Sequence, residues 1–199
     1  TTLFRSRTGT KKFEEERDER FSFNVSRFLL NEESLRLKFS EIRGVNVSLL
    51  KKDIPCIIIS VEKNRKGHIK ELHEQIAALK ETEGVKMILY VEHTVDPGDL
   101  TTALWRFCNN LDPKRDSFIS QGSSAGDPDK YFACMGLDGT RKTKELDNFH
   151  RDWPNIIVAN DETIKIVDAK WKQLNIGPFI ASPSLRFKEQ MYGEEAIVV

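Results

Sequence analysis

"CIIISVE" (56–62) and "VKMILYVE" (85–92) decide the fold. Each is a short run that is apolar at nearly every position rather than at alternate ones, the pattern of a strand buried on both faces. Between them a turn, "KNRKG", leads into a segment from about Gly67 to Lys80 in which Ile69, Leu72, Ile76 and Leu79 make one apolar stripe, so a helix is predicted there. Gly84 follows its end, where a left-handed residue is easily accommodated. Strand, helix, strand in this order implies a parallel pair joined by a crossover.

The same spelling continues outward. Asp96 or Asp99 is placed to cap a helix, with Pro97 tolerated near its first turn, and Leu100, Ala103, Leu104, Phe107 and Cys108 fall on one face. "DSFIS" (116–120) reads as a third strand, "QGSSAGDPDK" as a polar loop, and "YFACMGLD" as a fourth strand entering a basic turn. Asn160 is read as the cap of a last helix, with Asp161 and Glu162 at its positive end and Ile164, Val167, Trp171 and Leu174 on its buried side. The predicted fold is a three-layer α/β/α domain with a mainly parallel, mixed sheet over residues 41–177, plus an amino-terminal arm and a docking carboxyl-terminal tail. Residues 1–40, with the charge run "KKFEEERDER", read as the arm or the remnant of a preceding domain. Residues 178–199 read as the tail, because Phe179, Ile180, Leu185 and Phe187 are costly to leave in water.

Composition narrows the function. Lys plus Arg and Asp plus Glu each number 31, so the net charge is zero and gives no general pull toward nucleic acid or a membrane surface. No run approaches the roughly 18 apolar residues of a membrane span, and the first residues carry no apolar signal core, so a soluble, cytoplasmic protein is expected. Cys56, Cys108 and Cys134 are odd in number and widely spaced, which fits buried free thiols rather than a disulfide framework or a metal pair.

The chemistry-bearing residues are sparse. "GLDGTRKTKE" (136–145) resembles a phosphate loop at first sight, but Arg141 stands where backbone wrapping of a phosphate requires the second glycine, and Asp138 would put a negative charge inside the nest. A basic turn after a strand is the better reading. His68 and His73 lie five apart, roughly 140° around a helix, so they do not share a ligand and read as helix-surface residues. His93, Glu92, Asp96 and Asp138 stand at strand ends, where open α/β sheets place ligands. Trp105 lies off the stripe of its helix and is a candidate interface anchor.

Taken in order, these segments resemble a known family. "CIIISVEKNRKGHIKEL", "VKMILYVEHTVDPGDLTTALWRFCNNLDPKRDSF" and "GLDGTRK" are similar to the carboxyl-terminal part of UbiD-type decarboxylases. The likeness is carried by Gly67-His68, the acidic stretch Glu92 to Asp96, Leu104-Trp105, Asp112-Pro113-Lys114-Arg115-Asp116 and Gly136-Leu137-Asp138-Gly139-Thr140. "FSEIRGVNVSLL" (39–50) and "AKWKQLNI" (169–176) extend it at either side, so it covers roughly residues 39–176. The chain departs from the family at His93-Thr94, where a denser acidic run is usual, and at Gly139, where alanine is usual.

The resemblance implies an enzyme that removes carbon dioxide from aromatic or α,β-unsaturated acids with prenylated FMN and a divalent metal. It also implies that flavin, metal ligands and catalytic side chains belong to a separate amino-terminal flavin domain, which would be this chain's partner within a homo-oligomer. No catalytic or metal residue is then expected in this segment. Arg141 and Lys142 are the candidates to approach the flavin domain or the substrate mouth, and Trp105, Phe179, Ile180, Leu185 and Phe187 are the candidate interface. The competing expectation is a free-standing α/β binding or assembly module with no activity of its own.

Overall fold

The computed structural model of the protein describes residues 30–124, 127–151, 155–192 and 197–198. The chain divides into two compact units, residues 1–141 and 142–199. In the first, helix α1 (Glu32–Lys38) precedes β1 (Ile42–Asn46), followed by β2 (Cys56–Val61), α2 (His68–Ala77), β3 (Met87–Glu92), α3 (Leu100–Asn110), the short α4 (Pro113–Asp116), β4 (Ser117–Ser124) and β5 (Asp127–Asp138). The five strands form one sheet in the order β1-β2-β3-β5-β4. Its centre, β2, β3 and β5, is parallel, and both edges are antiparallel to their neighbours. The three-layer α/β/α arrangement read from the sequence is therefore present in the first unit.

The strand pleat explains why every position of "CIIIS" is apolar or small. Ile57, Ile59 and Val61, with Ile88 and Tyr90 of β3, pack against Ile69, Leu72 and Ile76 of α2. Cys56 and Ile58, with Leu89 and Val91, pack against Ala103 and Phe107 of α3 on the other face. Each of these larger side chains contributes about 1.5–3 kcal/mol by leaving water. Leu30 and Leu35 join the α2-side core, so residues 30 and 35 of the amino-terminal stretch pack with the first unit, while residues 1–29 lie outside the described part.

Several expectations are corrected. The third and fourth strands are not successive parallel crossovers: α3 and α4 lead to an edge strand, β4, which pairs antiparallel with β5, and β5 takes the parallel place beside β3. The polar stretch expected to be a loop extends both arms of this hairpin, with residues 125–126 outside the described part. Asp99, not Asp96, caps α3, its carboxylate accepting from the Thr102 N–H at 3.1 Å. On α3, Leu104 and Cys108 are exposed and the buried positions are Thr102, Ala103, Arg106, Phe107 and Asn110. The thiols of Cys56 and Cys134 are buried as expected, and desolvation pushes them up to about 11 and about 12 respectively.

Both histidines of α2 are buried rather than on its surface. His73 Nε2 lies 3.1 Å from the Cys134 carbonyl oxygen, which can only accept, so Nε2 carries the proton and Nδ1 accepts from the Tyr90 hydroxyl at 3.1 Å. Burial holds its pKa below the ordinary imidazole value. The imidazole fits because β5 presents a glycine beneath it: a Cβ on Gly136 would sit 2.8 Å from His73 Cγ and 2.1 Å from Phe118 Cε2. His73 and Phe118 stack edge to face at 5.0 Å over that gap.

The second unit, described by itself, holds α5 (Lys144–Asp147), a two-stranded parallel sheet of β6 (Val158–Ala159) and β7 (Ile197–Val198), α6 (Asp161–Leu174) and α7 (Ser184–Phe187). Asn160 caps α6 as expected, accepting from Thr163 N–H at 2.6 Å. Of the expected buried side of α6 only Ile164 is buried; Val167 and Leu174 are exposed and Trp171 is half-buried. Trp171 Nε1 donates to the carbonyls of Gly177 and Pro178, at 3.2 and 3.1 Å, and its ring meets Phe179 edge on, which folds the start of the tail back on α6.

Replacing Gly136 by Ala tests the account of this core. The added methyl has to displace the Phe118 ring and His73, so we expect destabilisation of about 1–3 kcal/mol by equilibrium urea unfolding. An unchanged midpoint would show that the space above Gly136 is slack.

Candidate functional site at the carboxyl end of the sheet

Because β2, β3 and β5 are parallel, their carboxyl ends lie along one edge, with Val61 paired to Glu92 and Tyr90 paired to Asp138. The residues read from the sequence as candidates for chemistry gather here, and the structure gives most of them a partner. Glu92 is buried, and so are Arg106 and Asn110 of α3. Arg106 donates to one oxygen of Glu92 through Nε, at 2.8 Å, and through Nη2. Asn110 Nδ2 donates to the other oxygen at 3.2 Å and to the Gly139 carbonyl at 3.1 Å. One carboxylate thus ties the end of the central strand to a helix and, through Asn110, to the turn after β5.

That turn is the basic stretch "GLDGTRK". Asp138 Oδ1 accepts from the Thr140 N–H at 2.9 Å and from its hydroxyl at 2.5 Å. The Gly139 N–H donates to the Tyr90 carbonyl at 2.9 Å, and a Cβ on Gly139 would lie 2.3 Å from Phe107 Cδ2. Lys63, following β2, donates from Nζ to the Arg141 carbonyl at 2.8 Å. The two glycines serve close packing, Gly136 against α2 and Gly139 against α3, and the N–H groups of Gly139 and Thr140 are engaged within the protein. Arg141 is half-buried and Lys142, the first residue of the second unit, is buried.

The remaining candidates do not converge. His93 and Asp96 are exposed, and Asp96 accepts from the Gly98 N–H at 2.8 Å in a turn. The loop is anchored instead by Asn46, whose Nδ2 donates to the Pro97 carbonyl at 2.6 Å. His68 Nδ1 accepts from the Asn64 N–H at 3.3 Å and its Nε2 donates to Glu41 Oε1 at 3.1 Å. Burial alone would raise the Glu41 pKa, but its backbone hydrogen bond and His68 outweigh that and hold it low. Beside this pair a polar cleft of about 350 Å³ is lined by Ser40, Glu41, Arg43, Glu62, Asn64 and Arg65. Arg43 pairs with Glu62 there and Arg65 with Glu71, so both cations already face carboxylates. Among the described residues no group of three or more His, Cys, Asp or Glu side chains is placed to hold a metal ion.

Sequence reasoning missed the polar half of α3. Arg106 and Asn110 stand one helical turn apart with Phe107 between them, and an isolated sequence offers no signal that this turn faces a buried acid. The Asp-Pro-x-Arg-Asp motif also proves architectural: Asp112 caps α4 by accepting from Lys114 N–H at 2.9 Å, and buried Asp116 accepts from Asp112 N–H and from Arg115, each at 2.7 Å. Of the candidate interface residues, Trp105 is 48% exposed, Phe179 59%, Ile180 66% and Leu185 52%, while Phe187 is half-buried beneath Arg186.

Residues 26–138 match the family model of the 3-octaprenyl-4-hydroxybenzoate carboxy-lyase C-terminal domain, UbiD_C. That stretch is more than half of the chain. The chain belongs to the UbiD family. Its match ends at Asp138, so the UbiD-type domain coincides with the sheet and helices of the first unit. An uncharacterized protein of Aeropyrum pernix is 25% identical over 124 residues, which are 59% of this chain and 25% of that protein. One of Helicobacter pylori is 30% identical over 148 residues, 71% of this chain and 21% of that protein. Among solved structures, vanillic acid decarboxylase of Sedimentibacter hydroxybenzoicus in its closed form aligns with a TM-score of 0.54 at 18% identity, over 73% of this chain and 31% of that one. The chain thus spans about a quarter of the length of the curated relatives it matches, and the structural likeness supports the fold.

The Glu92 cluster makes a direct prediction. Glu92→Ala leaves the Arg106 charge buried without its carboxylate, and unfolding in urea should show a loss of about 3–5 kcal/mol. Replacing Glu92 and Arg106 together by Met should restore most of it, since well-packed apolar residues of similar volume commonly replace a buried ion pair without loss of stability. A single Glu92→Ala change costing under ~1 kcal/mol would mean that water reaches the pair.

Proposed function

We propose that this chain is the carboxyl-terminal domain of a UbiD-like non-oxidative decarboxylase. Its substrates are aromatic or α,β-unsaturated carboxylic acids, 4-hydroxybenzoate-type quinone precursors among them. The observation that carries the reading is the family match over residues 26–138, reinforced by the order in which Gly67-His68, the Asp112 to Asp116 turn and the Gly136 to Thr140 turn occur along the first unit. Prenylated FMN, when bound, supplies the electron sink for loss of carbon dioxide. The described residues offer no metal-ligating cluster that would hold the divalent ion on its phosphate. We assign flavin, metal and catalytic side chains to an amino-terminal flavin domain on the same polypeptide, and keep Arg141 and Lys142 as candidate contacts to that domain or to the substrate mouth.

The work of this domain is then cover and assembly. Trp105 on α3, and Phe179, Ile180, Leu185 and Phe187 in the second unit, are the proposed interface; the exposed members leave large apolar surfaces in water that a neighbouring domain or subunit of a homo-oligomer would remove. We assign the protein to the cytoplasm as part of this proposal. Among the described residues no helix is long and apolar enough to cross a membrane, and the zero net charge favours neither nucleic acid nor an anionic surface.

Two measurements check this. Incubated with prenylated FMN and desalted, the 199-residue chain should lose the flavin absorbance, whereas the polypeptide extended by its amino-terminal domain should keep it; stoichiometric retention by the short chain would overturn the division of labour. By light scattering the chain should run larger than a monomer, and truncation after Ser182 should lower the mass. Burial of a few leucine- or phenylalanine-sized side chains at roughly 1.5–3 kcal/mol each supports such an interface, less the ordering of the tail. A mass unchanged by the truncation would remove the tail from the interface.

A further inference from the structure

His73 takes no part in the cluster at the carboxyl end of the sheet, yet it is wholly buried and joins three elements. From α2 its Nε2 donates to the Cys134 carbonyl of β5, and its Nδ1 accepts from the Tyr90 hydroxyl of β3, each at 3.1 Å. The β3–β5 ladder begins at Met135, so the Cys134 bond holds β5 to the helix one residue before the sheet takes over. Phe118 of β4 lies against the same ring at 5.0 Å, and a Cβ on Gly136 would come within 2.8 Å of it, which leaves no room for water between ring and strand. Among the described residues the titratable groups around the ring are Tyr90, Cys134 and, on its own helix, the exposed Glu74. Burial pushes the Tyr90 hydroxyl well above its ordinary value and the Cys134 thiol up to about 12, so both are neutral. β2 and β4 bring only Ile57, Ile59 and Phe118 to this core. His68, the other buried histidine of α2, meets the Glu41 carboxylate, whereas the hydrogen bonds of His73 go to a carbonyl and a hydroxyl.

We propose that His73 is an acid-operated latch between α2 and the β4–β5 hairpin: the neutral imidazole pins the helix to β5, and a proton taken up at Nδ1 releases it. The reason lies in the hydrogen bonds. A protonated ring donates from both nitrogens, so Tyr90 has to turn its hydroxyl to accept and its own proton loses its acceptor. The charge gains no carboxylate across the contact and meets no water, and an ion buried in that way is strongly disfavoured. Parting α2 from β5 lets water reach the ring, so the proton stabilises the open form. The stability that the closed latch contributes is therefore lost as pH falls below the ordinary imidazole range, and it is fully present above that range, where the ring is neutral in both forms. β2 and β3 are paired over six residues without this histidine, so the loosening is confined to α2 and the hairpin. The latch is independent of the decarboxylase reading, since every group in it lies inside the first unit.

The test is amide hydrogen exchange on the full chain at about pH 7.5 and about pH 5.5, read by mass spectrometry and corrected for intrinsic rates. An open form that titrates at the ordinary imidazole value of about 6.5, over a closed form that stays neutral, gives about tenfold more opening at the lower pH. That acceleration should appear in α2 and β5 and leave β2 protected. His73→Gln, whose side-chain amide can donate to the Cys134 carbonyl and accept from Tyr90 but takes up no proton, should abolish it. Equal protection at the two pH values, acceleration that extends equally to β2, or undiminished acceleration in His73→Gln overturns the latch. If His73→Gln does not fold, the ring nitrogen shifts of His73 in the unaltered chain decide. A neutral ring with its proton on Nε2 at the lower pH supports the latch, and a protonated ring in a helix that is still protected overturns it.

Discussion

A carboxylate buried at the end of the central strand is the constraint around which the rest of the first unit is arranged. Glu92 lies in a setting where an unpaired charge would cost several kcal/mol. Its two oxygens are met by Arg106 and Asn110 from one face of α3. Asn110 passes the constraint on to the Gly139 carbonyl, so the third parallel strand, the helix and the basic turn are fixed relative to one acid. Phe107, between the two polar residues, then requires that the turn residue beneath it be glycine.

Seen from this cluster, the motifs that make the chain resemble UbiD-type enzymes act as joints of an α/β scaffold. Gly136 opens space for His73, Gly139 for Phe107, and the Asp-Pro-Lys-Arg-Asp turn closes on its own backbone before the edge strand begins. The basic turn that looks made for phosphate is held by Asp138, Asn110 and Lys63.

The parallel centre of the fold was legible because hydrophobic pattern is written locally: runs apolar at every position for β2 and β3, and a clear 3.6-residue stripe for α2. What failed depended on partners distant in sequence. Arg106 and Asn110 stand outside the stripe of Leu100, Ala103, Leu104, Phe107 and Cys108 that the sequence suggests, because nothing near them shows that Glu92 lies opposite. His68 and His73 read as surface residues because the glycine beneath His73 is 63 positions away in the chain. The edge position of β4 was hidden for the same reason, since a hairpin partner and a crossover partner have the same local pattern. On α6 the stripe is real, but the second unit buries only Ile164 of it.

The proposed function makes this chain one domain of a larger decarboxylase. The most direct measurement is the mass of the polypeptide made from the native gene, detected with an antibody raised against residues of α3. The account predicts a single product far heavier than 22.9 kDa, with several hundred residues of flavin-domain sequence preceding Thr1. A native product of 22.9 kDa would contradict it and leave a free-standing α/β module in its place.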